Sequence, residues 1–167
     1  MPTSRPRDAA ADGALSIELY DQPGHLIRRA QQIAVSLFHE QLGYEVTPIQ
    51  YAVLRALQDH PGVDQVTLAE LVALDTSTTA ELAVRLEAKG WIHRELLPRR
   101  QRALSLSAEG QAVLQRLLPG MRAMQRQLLG RLDAPERKEF VRLLRKFVQL
   151  NNERSRAPLR QRRGDAE

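Results

Sequence analysis

Cysteine is absent from this chain of 167 residues, so disulfide bonds, thiolate metal sites and cysteine nucleophiles are excluded. Aromatic residues make up only 4%, so the core must be mainly aliphatic, which favours helices over a β-sandwich. No apolar run approaches the roughly 18 residues of a membrane span, and the first residues lack the hydrophobic core of a signal peptide. We therefore expect a soluble, cytoplasmic protein, most simply of one domain.

Lysine is also scarce, because arginine supplies 22 of the 25 basic residues. Residues 1–90 hold seven basic and twelve acidic side chains, whereas residues 91–167 hold eighteen basic and eight acidic ones. The planar guanidinium of arginine fits phosphates and guanine edges better than an ammonium does. The plainer interpretation of the arginine excess is the codon usage of a GC-rich genome, which does not explain this clustering.

Apolar residues that recur every three to four positions predict a mainly α fold. The predicted helices span approximately residues 22–43, 48–59, 67–74, 108–129 and 134–150, and the fourth helix in chain order carries Thr79, Leu82, Ala83 and Leu86 and ends at Gly90. A capping box at Thr67–Glu70 opens the third helix, and a polar turn at residues 75–77 precedes the fourth, which Gly90 ends. After this glycine the period changes to two, and residues 91–96 and 102–107 predict a two-stranded hairpin.

Two short helices joined by a tight turn and followed by a basic hairpin define a winged helix-turn-helix. The fourth helix is predicted to enter the DNA major groove, about 12 Å wide, with Thr79, Leu82 and Leu86 facing inward. Its outward residues are then Thr76, Ser77, Ala80, Glu81, Val84 and Arg85. At its N-terminus, the backbone N–H groups of residues 76–78, which include Thr78, favour a phosphate oxygen.

The hairpin, or wing, carries Arg99, Arg100 and Arg102 at its tip with no acid between them. We expect these side chains to reach phosphates or a narrow minor groove, and we assign Arg94 to the same DNA-binding set. The alternative interpretation is that a hairpin tip in water simply needs charge.

The run TLAELVALDTSTTAELAVRLEAKGWIHR, followed by PRRQRALSLSAEG, resembles the core of the MarR family of transcription regulators, and the similarity extends over roughly residues 20–150. The resemblance implies an obligate homodimer that binds a pseudo-palindromic operator in double-stranded DNA, usually as a repressor released by a small aromatic acid. It divides the chain into a flexible tail, an N-terminal helix for dimerisation and ligand binding, the winged domain, C-terminal dimerisation helices and a basic tail. These segments are residues 1–18, 19–46, 47–107, 108–153 and 154–167.

The sequence departs from the family pattern at two places. The wing of the family commonly carries an aspartate that orients the arginine, whereas Pro98 stands there in this chain and leaves Glu95 as a substitute partner. Arginines that the family often has near Thr76 and Glu81 are missing. Base recognition is therefore expected to rely on threonine, serine and Glu81, which can accept a hydrogen bond from cytosine.

The stretch LYDQPGHLIRRAQQIAVSLF, with TPIQYAVL, resembles more narrowly the MarR regulators of nicotinate catabolism. This implies an effector such as 6-hydroxynicotinate, bound between the first helices and the winged domain. His25 and Arg29 are one helical turn apart, so a carboxylate can meet both, and Phe38 and Tyr51 can contact the ring. The simpler interpretation of Arg29 is that it lies on a solvated face of the helix or forms an ion pair between subunits.

The leading hypothesis is thus a ligand-responsive, DNA-binding repressor. The second is a protein-interaction module that keeps the winged fold but has lost DNA reading, which Glu81 and the missing arginines favour. An enzyme is not supported, because the sequence has no phosphate loop and no recognisable set of catalytic residues. His39-Glu40 begins a zinc-binding pattern that fails at Gly43, so neither a metal site nor a cofactor is predicted.

Overall fold

The computed structural model describes residues 17–96 and 102–159. Within these ranges the chain is mainly helical, which confirms the predicted fold class. The helices are α1 (Pro23–Leu42), α2 (Pro48–Asp59), α3 (Gln65–Leu71), α4 (Thr76–Ala88), α5 (Ala108–Leu128) and α6 (Ala134–Leu150). The strands are β1 (Val63–Asp64), β2 (Ile92–Leu96) and β3 (Arg102–Leu106). None of the helices in the described ranges has the length and apolar composition needed to cross a membrane.

Side-chain hydrogen bonds from residues close in sequence cap the N-termini of the helices. Thr47 forms the expected capping box of α2, and Ser107 caps α5 through the backbone N–H of Gly110. The predicted capping box at Thr67 is wrong, because Asp64 is the N-cap and its carboxylate accepts a hydrogen bond from the Thr67 N–H at 2.8 Å. The third helix therefore begins at Gln65.

The turn between α3 and α4 comes earlier in the chain than predicted. The third helix ends at Leu71, and Ala73 adopts a left-handed backbone with φ 54°. The Leu74 N–H reaches back to the carbonyl of Ala69 at 2.9 Å, which closes the helix end. Residues 76 and 77, predicted as turn, are the first two residues of α4.

The predicted hairpin is confirmed, with Ile92 opposite Leu106 and Leu96 opposite Arg102. Its second strand also pairs with β1, so the described sheet has the antiparallel order β1-β3-β2. This third strand was not predicted, because two residues are too few to show a period of two.

The core lies between α2, α3, α4, the sheet and the start of α5. Its fully buried side chains include Leu54, Leu57, Leu68, Leu86, Ile92, Leu104 and Val113. By contrast, α6 buries none of its residues within the described chain. Of the predicted C-terminal tail, residues 154–159 lie in a turn that Asn152 closes by bonding both the N–H and the carbonyl of Leu159, and residues 160–167 lie outside the described ranges.

Candidate nucleic-acid interface and effector site

The fourth helix presents one buried and one exposed face, as predicted. Thr79, Leu82 and Leu86 are buried against the core together with Ala83. Opposite them, side chains four residues apart form two parallel rows along the helix. These rows are Thr76, Ala80 and Val84, and Ser77, Glu81 and Arg85; all are exposed except Ala80, which is half-buried.

The N-terminus of α4 is already occupied by a carboxylate. Asp75 accepts hydrogen bonds from the Thr78 backbone N–H at 2.8 Å and from the Thr78 hydroxyl at 2.6 Å. These bonds, led by the hydroxyl bond, hold the pKa of Asp75 below its ordinary value, so the group is charged at neutral pH. A DNA phosphate at this helix end must therefore compete with Asp75, which the sequence interpretation of residues 76–78 did not consider.

Glu81 and Arg85 pair with each other in the second row. Their charged atoms are 3.1 Å apart, and the side chains are 70% and 68% exposed. A pair this exposed contributes little stability, so it can open at low cost. Both side chains are thus free to turn toward base edges in a groove.

The wing places its arginines in different environments. Arg102 is exposed at the start of β3, opposite Leu96 at the end of β2. Arg94, in the middle of β2, is only 10% exposed and forms an ion pair with Glu87 of α4 at 3.1 Å. Pro98, Arg99 and Arg100 lie outside the described residues.

The base of the wing is a junction between α4, β2 and α5 that sequence reasoning missed. The Lys89 ammonium lies 4.1 Å from the centre of the Trp91 ring and also donates to the carbonyl of Glu45 at 3.0 Å. The Ser107 hydroxyl donates to the Gly90 carbonyl at 2.5 Å, and its backbone N–H to the Trp91 carbonyl at 3.0 Å. The one available signal was Ser107, already identified as a helix cap.

The predicted effector residues fall into two groups, one at each end of α1. His25 lies in the first turn, where its ring packs edge-to-face on Tyr20 at 5.8 Å, and Arg29 is exposed one turn later. The His25 Nε2 is buried without a hydrogen-bond partner in the part of the chain that the structure describes. Phe38, in contrast, is buried, and its ring centre is 6.3 Å from that of Tyr51.

The structure does not bring these two groups together. His25 and Phe38 are separated by thirteen helical residues, or about 20 Å along the axis at a rise of 1.5 Å per residue. A molecule with one aromatic ring cannot touch both groups in a single subunit. A cavity of 720 Å³ elsewhere lies between the end of α5 and the basic face of α6, and none of the four predicted residues lines it. No group of three or more His, Asp or Glu side chains is placed to hold a metal ion in the described ranges.

A two-helix unit with an exposed recognition helix, beside a hairpin that carries an exposed arginine, defines a winged helix-turn-helix protein of the DNA-binding type. Comparison with known proteins agrees. The sequence pattern of the MarR family matches residues 44–103. The transcriptional regulator HosA of Escherichia coli O157:H7 is 36% identical over 126 residues, which cover 74% of this chain and 93% of HosA. The chain therefore belongs to the MarR family.

Solved structures share its fold. The transcriptional regulator PcaV of Streptomyces coelicolor, determined with its natural ligand, is 38% identical with a TM-score of 0.75, over 80% of this chain and 96% of that one. BpsR of Bordetella bronchiseptica is 29% identical with a TM-score of 0.74, over 80% of this chain and 98% of that one. The BpsR structure concerns the regulation of its DNA binding by 6-hydroxynicotinic acid.

Proposed function

We propose that this chain is a homodimeric repressor that binds a pseudo-palindromic operator and whose DNA affinity is changed by a small aromatic carboxylate such as 6-hydroxynicotinate. The observation that carries the proposal is the exposed outer face of α4 together with the exposed Arg102 of the hairpin whose first strand packs against α4. A helix of this kind fits the major groove, and a basic hairpin next to it reaches the flanking backbone.

The DNA-binding part is tested by selection from a random duplex library with the purified protein, followed by titration of the selected duplex. Arg102→Gln should weaken binding and flatten the dependence on salt by about 0.9 units of slope if Arg102 meets one phosphate. Arg122→Gln removes the same side chain from an exposed position of α5 and should leave the slope unchanged. Failure to enrich any sequence would instead favour the protein-interaction module, which the exposed Glu81 on the recognition face supports.

The homodimer is supported by apolar side chains that the single chain leaves in water. Within α6 they are Phe140, Leu143, Leu144, Phe147, Val148 and Leu150, each between 43% and 75% exposed. Leu26, Ile27 and Ile33 of α1 are similarly exposed. An apolar surface of this extent is a mark of an interface, and a second copy of the same helices is its simplest complement. A two-fold dimer presents two recognition helices to half-sites about 34 Å apart.

The effector site is proposed at the N-terminal group on α1. The carboxylate binds the exposed Arg29 guanidinium, and the His25 Nε2, which is buried beside Tyr20 without a partner in the described chain, becomes its second donor when the Tyr20 ring moves to pack against the ligand. Phe38 and Tyr51 are too distant to contact the same molecule within one subunit. Effector binding then favours a dimer geometry whose half-site spacing differs from that of the operator. The 6-hydroxynicotinic acid of BpsR supports the choice of ligand.

Calorimetry with 6-hydroxynicotinate, nicotinate and benzoate tests the effector, and each compound is then added to the protein–operator complex. We expect 6-hydroxynicotinate to bind and to lower DNA affinity, and Arg29→Gln to abolish both effects. Arg28→Gln is the matched control, because the neighbouring side chain leaves the helix in a different direction. Absence of heat with all three acids, together with unchanged DNA binding, would remove this part of the proposal.

A further inference from the structure

Arg94 is the one described arginine whose side chain turns inward from the wing toward the recognition helix. It lies opposite Leu104 in the hairpin, its side chain is 10% exposed, and its Nη1 is 3.1 Å from the Glu87 carboxylate. Burial of a guanidinium is unfavourable unless a partner compensates its charge. Glu87 is the only ion-pair partner recorded for Arg94 among the described residues.

Two features of this pair are energetically unfavourable. The Nε of Arg94 is buried without a hydrogen-bond partner in the described chain, which leaves one donor desolvated and unpaired. Glu87 also lies in the last turn of α4, where the helix carbonyls disfavour a negative charge. A phosphate-binding arginine would need neither arrangement, because its guanidinium would project into solvent.

The pair joins the two parts of the DNA-binding surface. Glu87 is fixed to α4, and its own backbone carbonyl accepts a hydrogen bond from Gly90 at 2.8 Å, at the point where the chain turns into the wing. Arg94 is fixed to β2 two residues after the strand begins. The ion pair therefore joins the recognition helix to the hairpin between two residues that are seven positions apart in sequence.

We propose that Arg94 is a positioning residue, which sets the angle of the wing relative to α4 through Glu87, and that it does not contact DNA itself. This replaces the sequence-based assignment of Arg94 to the DNA contacts, and it rests on the proposed function only for its effect on operator binding. With the angle fixed, the recognition helix and the wing arginines engage their parts of one operator together. Without the ion pair, the recognition helix and the wing each still attract DNA, but the protein's preference for the operator sequence falls.

Substitution of Glu87 distinguishes a phosphate-contacting Arg94 from a positioning Arg94, because the two roles predict different changes in DNA binding. If Arg94 contacts phosphate, Glu87→Gln frees it and removes a negative charge, so affinity rises for every duplex. If Arg94 positions the wing, Glu87→Gln and Arg94→Gln both lower the preference for the operator. The double variant is then no worse than either single variant, because all three remove the same interaction.

The experiment compares affinities for a duplex of about 25 base pairs that the unmodified protein selects and for a scrambled duplex of the same composition. We expect Glu87→Gln to lower the ratio of the two affinities about tenfold, as for loss of one hydrogen bond between charged groups. Arg94→Lys, which keeps a cation within reach of Glu87, should restore most of the ratio. Asp59→Asn is the control, because it breaks the exposed Arg55–Asp59 pair of α2 with the same change of charge.

Amide hydrogen exchange of β2 and β3 provides a readout that needs no DNA. The hairpin amides should exchange faster in Glu87→Gln and Arg94→Gln than in the unmodified protein and in Asp59→Asn. Unchanged exchange in both variants, or a Glu87→Gln protein that binds both duplexes more tightly, would overturn the proposal. If the unmodified protein selects no duplex, the proposed function fails, and the exchange result alone decides whether Arg94 fixes the wing.

Discussion

Replacement of Gly110 by alanine should separate α5 from the base of the wing. Gly110 is in the first turn of α5, directly against the backbone of Trp91. A Cβ at position 110 would lie 2.0 Å from the Trp91 carbonyl oxygen and 2.9 Å from its carbon. Both Trp91 atoms belong to the backbone, so no side-chain rotation relieves the overlap. The helix or the strand must shift by more than 1 Å to reach ordinary contact, which begins near 3.4 Å.

The expected loss of stability follows from two opposing terms. Overpacking of this kind costs about 3 kcal/mol, at the upper end of the usual range. Alanine is a better helix former than glycine and returns about 1 kcal/mol. The net loss of about 2 kcal/mol lowers the midpoint of thermal unfolding by about 4–8 °C in a chain of this size.

Calorimetry or circular dichroism at one fixed protein concentration measures this effect, since the proposed dimer would unfold at a temperature that depends on concentration. Gly24→Ala is a matched control, because Gly24 is also in the first turn of a helix and a Cβ there meets nothing within 4 Å. Gly24→Ala should add about 0.5–1 kcal/mol to the free energy of unfolding and so raise the midpoint slightly. Equal midpoints for the two alanine variants would refute the reasoning.

Three further predictions concern other parts of the fold. Ala73→Gly should stabilise the protein by about 0.5–1 kcal/mol in denaturant titrations, because glycine adopts the left-handed backbone without strain; a lower midpoint would contradict this. Asp75→Ala should lower the unfolding temperature at neutral pH. Because the pKa of Asp75 is depressed in the folded state, its contribution is present above about pH 4 and disappears as the pH falls through the lowered pKa, so a pH-independent difference would count against it. Phe147→Asp should weaken self-association more than about tenfold in sedimentation equilibrium, whereas Gln149→Asp on the basic face of α6 should not.

Features that depend on neighbours in sequence were predictable. The caps at Thr47 and Ser107 and the buried face of α4 follow from side chains within one or two turns, so the pattern alone is sufficient. The helix start at Asp64 was not predicted, because both Asp64 and Thr67 can cap a helix. Pairing of β1 with β3, some forty residues away, accompanies the extended backbone that makes Asp64 the cap.

The geometry of the candidate DNA-binding surface was predicted less completely than the fold. The outward residues of α4 follow from helical periodicity, but the inward orientation of Arg94 depends on Glu87 and on the packing of the hairpin against α4. The occupation of the α4 N-terminus by Asp75 was available from sequence, since an aspartate there is a strong capping residue. The separation of His25 from Phe38 also follows from the helical rise, once α1 is accepted as one continuous helix.

The single tryptophan of the chain lies at the junction where α4, the wing and α5 meet. Trp91 is 5% exposed, with the Lys89 ammonium above its ring and Ser107 bonded to its backbone carbonyl. An indole in contact with a movable cation changes its emission when that cation shifts. The unlabelled protein thus contains one intrinsic fluorophore at this junction, and its emission can follow rearrangement of the wing during a titration without any background from a second tryptophan.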